Sequence, residues 1–161
     1  MATATVVPGG LEFLIQRIKN SASCYSSDLN AMPEDALDQS PGGKARSAYD
    51  ITYEVVELNR IVAGRARGEQ TPFDGSEGWT RAPESYKNKA AVIADFEDSI
   101  TQLVDALTGV NEETMSTPVE TPFGALPLAR LAEIVPRHIM YHSGQLNYIQ
   151  TWLGDEVFHW N

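Results

Sequence analysis

The spacing of apolar residues constrains the fold most, because it repeats at intervals of three and four in four long segments. In the second segment, Ala48, Ile51, Val55, Leu58 and Val62 step by three, four, three and four, which places them on one face of a helix. Loops rich in proline and glycine separate the segments, and no convincing pair of long strands is found. The pattern predicts an all-α protein built as a four-helix bundle.

The apolar stripes, together with the prolines and glycines beside them, predict where each helix begins and ends. The four helices are predicted over about 11–29, 44–67, 84–107 and 126–153. Gly154 follows the fourth helix in the position of a C-terminal cap, and residues 117–124 predict a short hairpin. The second and last connections are long enough for a crossover. Phe73 and Trp79 lie in the second connection, where we expect them to cover one end of the core; the alternative is a lid over a pocket.

Length, charge and cysteine content narrow the class of protein. A chain of 161 residues predicts a single domain spanning residues 1–161. The net charge of −10 disfavours nucleic acid and anionic membrane surfaces as partners, because phosphate binding depends on clustered lysine and arginine. Cys24 is the only cysteine, so no intrachain disulfide forms. The sequence shows no secretory signal pattern and no long apolar run, which predicts a cytoplasmic protein.

The fourth helix interrupts its apolar stripe with polar residues. The expected inward positions are Leu128, Leu131, Val135, His138, His142, Gln145, Ile149 and Trp152. A buried polar group without a partner costs about 1–3 kcal/mol, so three consecutive polar positions need an explanation. His138 and His142 are four residues apart, which places both imidazoles on one face, as a helix does when it offers two ligands to one metal ion. The alternative is a pair of core histidines hydrogen-bonded to carboxylates or carbonyls.

Glu54 is the candidate third ligand. It lies three residues after Ile51 and four before Leu58, so it borders the apolar face of the second helix. A buried carboxylate is paired with a cation or coordinates a metal. The alternative is an edge side chain that reaches water or pairs with an arginine. Gln145 would hydrogen-bond a ligand of the metal or hold a ligand side chain; otherwise it is a polar plug in the bundle.

Two segments resemble a known family, the DinB-like (DinB/YfiT-type) metalloproteins. Residues 47–59, SAYDITYEVVELN, resemble the family's second helix, in which a serine is commonly followed seven residues later by a metal-binding histidine. Residues 138–146, HIMYHSGQL, resemble the last-helix motif, whose two histidines complete the site. The resemblance implies a DinB-like four-helix bundle that holds one divalent ion (Zn, Ni, Fe or Mn) and forms a homodimer. The usual first histidine falls at Glu54, which implies either a site of two histidines and one glutamate or a site that has lost its metal.

The resemblance also implies a class of reaction. Three protein ligands leave coordination positions open, as in catalytic metal sites. DinB-like relatives include transferases in which the metal activates a low-molecular-weight thiol, so a thiol and a small electrophile are the implied substrates; a metal-dependent hydrolase is another enzymatic reading. The alternatives are a non-catalytic metal-binding or stress-response protein and an interaction protein with an empty site. A di-iron bundle is disfavoured, because residues 135 and 139 are Val and Ile instead of the glutamates that such a site needs.

Overall fold

The computed structural model describes residues 9–70 and 80–160, and within these ranges it has five α-helices and one small hairpin. The elements are α1 Gly10–Ala31, α2 Ala48–Ala66, α3 Lys89–Thr108, α4 Glu112–Ser116, β1 Pro118–Val119, β2 Leu126–Pro127 and α5 Leu128–Trp152. The predicted all-α bundle is confirmed, with α5 as the predicted fourth helix and α4 as a short addition. Among the described helices, none is both long and apolar enough to cross a membrane. Phe73 and Trp79 lie outside the described residues.

The four long helices are connected in a crossed order. Helix α1 packs against α3 and α5, and α2 packs against the same two helices. The pairs α1–α2 and α3–α5 are therefore diagonal, and their connections cross from one side of the bundle to the other. Of the two connections long enough for a crossover, the last one crosses the bundle and the second one does not, since α2 and α3 are neighbours. The first connection also crosses.

The predicted stripes of the first two helices form much of the core. In α1 the spacing predicts a stripe of Leu11, Leu14, Ile18, Ala22 and Tyr25, and all of these are buried except Leu11, which is partly buried. The predicted α2 stripe of Ala48, Ile51, Val55, Leu58 and Val62 is buried throughout. The hydroxyl groups of Tyr25 and Thr52 lie 2.8 Å apart and join the two diagonal helices through the centre of the bundle. These stripes are accurate because nearly every position on them is apolar, so each has one clear face to bury.

The buried faces of α3 and α5 are broader than one stripe. In α3 the spacing predicts a stripe of Ile93, Phe96, Ile100, Leu103 and Leu107. The buried line instead passes through Val92 and Ser99, which leaves Ile93 and Ile100 only partly buried. In α5 the buried residues also include Ala132, Ile139, Ser143, Leu146 and Gln150. Trp152, predicted to face inward, is 48% exposed, so that prediction was wrong. Helix α5 packs against both α1 and α2, and its buried face is centred between them.

Side-chain caps determine where α2 and α3 begin. Ser47 accepts a hydrogen bond from the backbone N–H of Asp50 at 3.3 Å, so α2 begins after this residue and not at residue 44. Asn88 accepts from the backbone N–H of Ala91 at 3.0 Å and starts α3, while residues 84–86 form a separate 3-10 turn. The Ser47 cap fixes the register of α2 and hence the face on which Glu54 lies.

The last helix ends as the sequence suggested but begins two residues later than predicted, at Leu128 instead of residue 126. Strands β1 and β2 pair antiparallel, which confirms the predicted hairpin and delays the start of α5 until after Pro127. Gly154 has φ +92°, in the left-handed region that glycine adopts without strain. The N–H of Asp155 donates to the carbonyl of Gln150 at 2.9 Å, closing the helix as a glycine C-terminal cap does. The chain after the cap then turns back towards α1.

Candidate metal centre

Helices α2 and α5 bring the three predicted ligand side chains together. Glu54 projects from α2, and His138 and His142 project from consecutive turns of α5. One nitrogen or oxygen atom of each lies within 4.8 Å of the others. Glu54 Oε1 is 3.3 Å from His138 Nε2 and 3.4 Å from His142 Nε2, and the two Nε2 atoms are 3.0 Å apart. We call these three residues the metal-site cluster.

A hydrogen bond to Gln145 fixes the orientation of the His142 ring. His142 Nδ1 lies 2.8 Å from Gln145 Oε1, and an Arg46 guanidinium nitrogen donates to the same oxygen at 3.4 Å. An amide oxygen only accepts, so His142 Nδ1 carries the proton and Nε2 presents a lone pair to the cluster. This is the arrangement that metal-binding histidines usually adopt, with the second ring nitrogen donating to a protein acceptor.

Arg46 is the site residue that sequence reasoning missed. Its side chain is only 4% exposed, and it donates a hydrogen bond to Glu54 Oε2. The two carboxylate oxygens therefore have different partners: Oε2 faces the guanidinium, and Oε1 faces the two imidazoles. Pairing with an arginine, the alternative considered for Glu54, is therefore observed for Oε2. No spacing rule points to Arg46, because it lies eight residues before Glu54 and outside α2, and arginine is seldom buried.

Burial keeps both imidazoles neutral near physiological pH. It lowers the pKa of His138 to about 3, because the charged form would lose its hydration, and repulsion from His142 and Arg46 adds to the shift. Burial likewise lowers the pKa of His142 to about 4, opposed by the hydrogen bond to Gln145 and reinforced by Arg46. A neutral imidazole is the form that coordinates a metal ion.

The protons available in the cluster can be counted. If His138 carries its proton on Nδ1, three lone pairs converge and no proton lies between them. If it carries the proton on Nε2, that proton serves Glu54 or His142, and the buried Nδ1 has no partner among the residues that the structure describes. A cation would satisfy the three converging lone pairs of the first arrangement, in which the buried Nδ1–H of His138 has no acceptor among the described residues. Two imidazole nitrogens and one carboxylate oxygen fit a divalent transition-metal ion, since this set serves catalytic zinc and non-haem iron.

A cleft of about 340 Å³ opens beside the cluster. Arg46 and Gln145 contribute to its wall, and both also contact the metal-site cluster. The Tyr141 ring, which borders the same cleft, lies 5.0 Å from the His142 ring, measured between centroids. The residues that orient Glu54 and His142 are therefore the ones a small molecule in the cleft would meet.

The sequence from residue 25 to residue 146 matches the model of the DinB superfamily. The chain belongs to the DinB superfamily. The matched span covers most of the chain and includes Glu54, His138 and His142. The resemblance to DinB-like proteins is thereby confirmed. No curated protein sequence matches this DinB-superfamily chain significantly.

Solved structures of other proteins share the fold. YfiT from Bacillus subtilis, described as a probable metal-dependent hydrolase with an unusual four-helix bundle topology, superimposes with a TM-score of 0.73 at 11% identity, covering 96% of this chain and 93% of its own. A DinB-like protein from Bacillus cereus gives 0.67 at 15% identity, with 88% and 91% covered. The mycothiol-dependent maleylpyruvate isomerase gives 0.65 at 21% identity; the match covers 91% of this chain and 63% of that longer one. At these identities the likeness shows the fold alone.

Proposed function

We propose that this DinB-superfamily protein binds one divalent transition-metal ion through Glu54, His138 and His142, and that it is a metal-dependent transferase joining a small thiol to a small electrophile. The observation that carries the proposal is the convergence of three electron-rich atoms within 4.8 Å. Two proteins of the same fold, the mycothiol-dependent isomerase and the probable metal-dependent hydrolase, give precedents for thiol and metal chemistry. A metal-dependent hydrolase is the second enzymatic function that we consider.

The residues of the site have separate roles in this proposal. A divalent ion held there would supply Lewis acidity that lowers the pKa of a thiol. Glu54 contributes an anionic oxygen, and the two neutral imidazoles contribute nitrogen lone pairs. Arg46 holds the other carboxylate oxygen and so fixes the rotation of Glu54, while Gln145 fixes the ring of His142. The cleft lies beside the cluster, and Arg46 and Gln145 border both of them.

Metal binding is tested by elemental analysis of the full chain after loading with Zn, Ni, Fe or Mn and dialysis. We expect one ion per chain. Glu54→Gln should weaken binding at least about tenfold, because it removes the anionic ligand, whereas Glu54→His should retain binding through a third imidazole. Glu57→Gln is the matched control, since Glu57 lies on the same helix with its side chain 43% exposed. Equal metal content in Glu54→Gln and Glu57→Gln would show that Glu54 is not a ligand.

Catalysis is tested with 2-mercaptoethanol and, in turn, 1-chloro-2,4-dinitrobenzene and its carboxylated analogue 4-chloro-3,5-dinitrobenzoate, whose thioether products absorb light. The metal-loaded protein should accelerate thioether formation over the chelated protein at equal concentration. Equal rates with the metal demonstrably bound would favour the non-catalytic alternative, in which the ion ties α2 to α5. The position of the cluster between these two helices is what supports that second candidate.

We also propose a homodimer, as the DinB-like resemblance implies. Four apolar side chains near the C-terminal end support an interface there: Trp152, Leu153, Val157 and Phe158 are 48%, 37%, 67% and 70% exposed. Contiguous exposed apolar patches commonly mark association surfaces. Sedimentation equilibrium should give twice the chain mass of 17.7 kDa. A species of single-chain mass at micromolar concentration would contradict the dimer.

A further inference from the structure

The cleft beside the metal-site cluster has the opposite charge balance to the chain as a whole. Lys44 and Arg46 line it, and no carboxylate does among the residues that the structure describes. The whole chain, by contrast, has 22 acidic and 12 basic residues. Glu54 offsets the charge of Arg46, so Lys44 supplies the positive potential at the cleft, and such a potential attracts and orients anions.

The rest of the lining suits an apolar body. Tyr141 and Tyr148 lie seven residues apart on α5, a separation of about 10 Å along the helix, and their side chains are 58% and 64% exposed. Ile51 and Ile149 are buried and form the base between them. The volume of about 340 Å³ falls at the small end of ligand-binding clefts, which commonly run from about 300 to 1,000 Å³.

The two cations of the cleft are engaged differently. Arg46 is buried and donates to Glu54 and Gln145, so its charge is offset by the Glu54 carboxylate. Lys44 is exposed, and within residues 9–70 and 80–160 it makes no ion pair. Its ammonium group is therefore the one able to meet an incoming anion directly. Gln145 and Tyr141 mark the end of the cleft next to His142.

We propose that this cleft binds the small electrophilic substrate, and that this substrate is an organic carboxylate with an apolar or aromatic body. The inference rests on the proposed function, because it places the substrate beside the proposed metal centre. Lys44 pairs with the carboxylate, and Tyr148 and Ile51 contact the body. The pairing selects against neutral and cationic analogues, which gain nothing from the positive potential.

The test is isothermal titration calorimetry on the metal-loaded full chain, with phenylacetate and its neutral isostere phenylacetamide. We expect phenylacetate to bind about fivefold more tightly than the amide, the upper end of the effect of one partly exposed ion pair. Lys44→Gln should remove this preference. Lys19→Gln is the matched control, because it changes net charge equally at an exposed position on α1 away from the cleft. Equal binding of acid and amide, or equal effects of the two lysine variants, would overturn the proposal.

Two further measurements separate the apolar contribution from simple anion binding. Tyr148→Ala should weaken phenylacetate and phenylacetamide alike, since it removes contact with the body, and its exposed position leaves the fold intact. Inorganic phosphate, which has a charge but no apolar body, should bind at least about tenfold more weakly than phenylacetate. Phosphate binding as tight as that of phenylacetate would overturn the assignment of an organic substrate.

The failure of this inference is distinguishable from failure of the proposed function. Metal content is measured on every sample, and the titration is repeated on chelated protein. A chain that prefers phenylacetate through Lys44 yet never holds metal refutes the metal centre and supports the cleft assignment. A chain that holds one ion per molecule but binds acid and amide equally refutes the cleft assignment alone.

Discussion

Helix α5 contributes to two polar clusters, one partly buried and the other centred on a fully buried carboxylate, and the polar groups of the two are satisfied differently. Towards α2 lies the metal-site cluster, to which it supplies two imidazoles. Towards α1 lies a second cluster centred on Asp28, which is 0% exposed. Consecutive residues of α5 serve the two clusters, His142 one and Ser143 the other, because successive side chains on a helix point about 100° apart.

The Asp28 cluster contains its own hydrogen-bond donors. Ser143 Oγ donates to Asp28 Oδ2 at 2.6 Å, and the Trp160 indole N–H donates to the same oxygen at 2.9 Å. Gln150 Nε2 donates to the Asp28 backbone carbonyl at 3.0 Å. These bonds join α1, α5 and the chain that follows α5. Asp28 Oδ1 has no partner among the described residues. Asp28 Oδ2 and the backbone carbonyl oxygen both accept hydrogen bonds from donors of the protein itself.

The two clusters differ in the balance of hydrogen-bond donors and acceptors, which distinguishes a structural cluster from a candidate ligand site. Around Asp28, donors converge on an acceptor. Between Glu54, His138 and His142, acceptors converge on one another, and at most one proton is available for them. Buried acceptors without donors are stabilised by a cation, so the deficit of protons distinguishes a candidate metal centre from a structural polar cluster. Burial and polarity alone do not make this distinction.

The largest effect on metal binding is expected from removing the two imidazoles of the metal-site cluster. His138→Ala combined with His142→Ala should abolish metal binding, because only one of the three proposed ligands remains. Elemental analysis after loading and dialysis measures the result. His159→Ala is the control, since His159 bonds to Asp155 at 2.8 Å, outside the metal-site cluster, and this variant should keep full metal content. Metal retained by the double variant would place the ion elsewhere in the molecule.

The next largest effect is expected from acidification, which should lower the stability of the protein through the histidines of the metal-site cluster. The pKa values of His138 and His142 are lowered to about 3 and about 4, below the ordinary value of about 6.5. A lowered pKa gives stability that is complete above the unfolded value and is lost as pH falls towards the folded value. From pH 7.5 to pH 5, metal-free protein should lose about 2 kcal/mol for each histidine, measured by urea unfolding.

The matched variant for this measurement is His138→Gln combined with His142→Gln, which has no imidazole to protonate there. Its loss of stability over the same pH range should be smaller than that of the unmodified chain. Equal losses would contradict the assignment of the effect to these histidines. Added metal should stabilise the unmodified protein more at pH 7.5 than at pH 5, because protons compete with the ion for the same nitrogens.

Local patterns were enough to predict most of the architecture. The stripe of α2, most of the stripe of α1, the presence of a hairpin before the last helix and the Gly154 cap all depend on residues close in sequence, and these were identified correctly. The juxtaposition of Glu54 with His138 and His142 was also predictable, because helix periodicity and the family resemblance pointed to the same positions. Whether a metal binds there stays a prediction.

Contacts between distant segments were not predictable in the same way. Arg46 approaches Glu54 from outside α2, and Trp160 reaches Asp28 across 132 residues. Neither contact belongs to a periodic pattern. The inward position expected for Trp152 failed for a related reason: the buried face of α5 is set by two neighbouring helices, and a one-dimensional stripe does not specify which neighbours those are.

Truncating Asp28 tests the structural cluster. Asp28→Ala should destabilise the protein by about 2–4 kcal/mol, because the Ser143 hydroxyl and Trp160 indole would be left without their acceptor next to a new cavity. Asp28→Asn keeps an acceptor oxygen and should cost about 1 kcal/mol. Urea unfolding measures both. Metal content should be unchanged in both variants, and a loss of metal in either would show that the two clusters are not independent.

The smallest expected effect comes from Trp160→Phe. This change removes the indole donor but keeps an aromatic ring next to Phe158, whose ring centroid lies 5.3 Å away. Ser143 still donates to Asp28 Oδ2, so no acceptor is orphaned and the loss in urea unfolding should be about 1 kcal/mol. Trp152→Phe, at a half-exposed position, is the control and should change stability by less than about 0.5 kcal/mol.

The same pair of donors allows a sharper form of this prediction. Because either Ser143 or Trp160 can serve Asp28 Oδ2 alone, removing both should cost more than the sum of the single losses. In a double-mutant cycle of Ser143→Ala and Trp160→Phe, we expect a coupling of at least about 0.5 kcal/mol. Additive losses would mean that the two donors act separately. The Asp28 cluster would then be a set of independent contacts, and its contrast with the metal-site cluster would lie in the supply of protons alone.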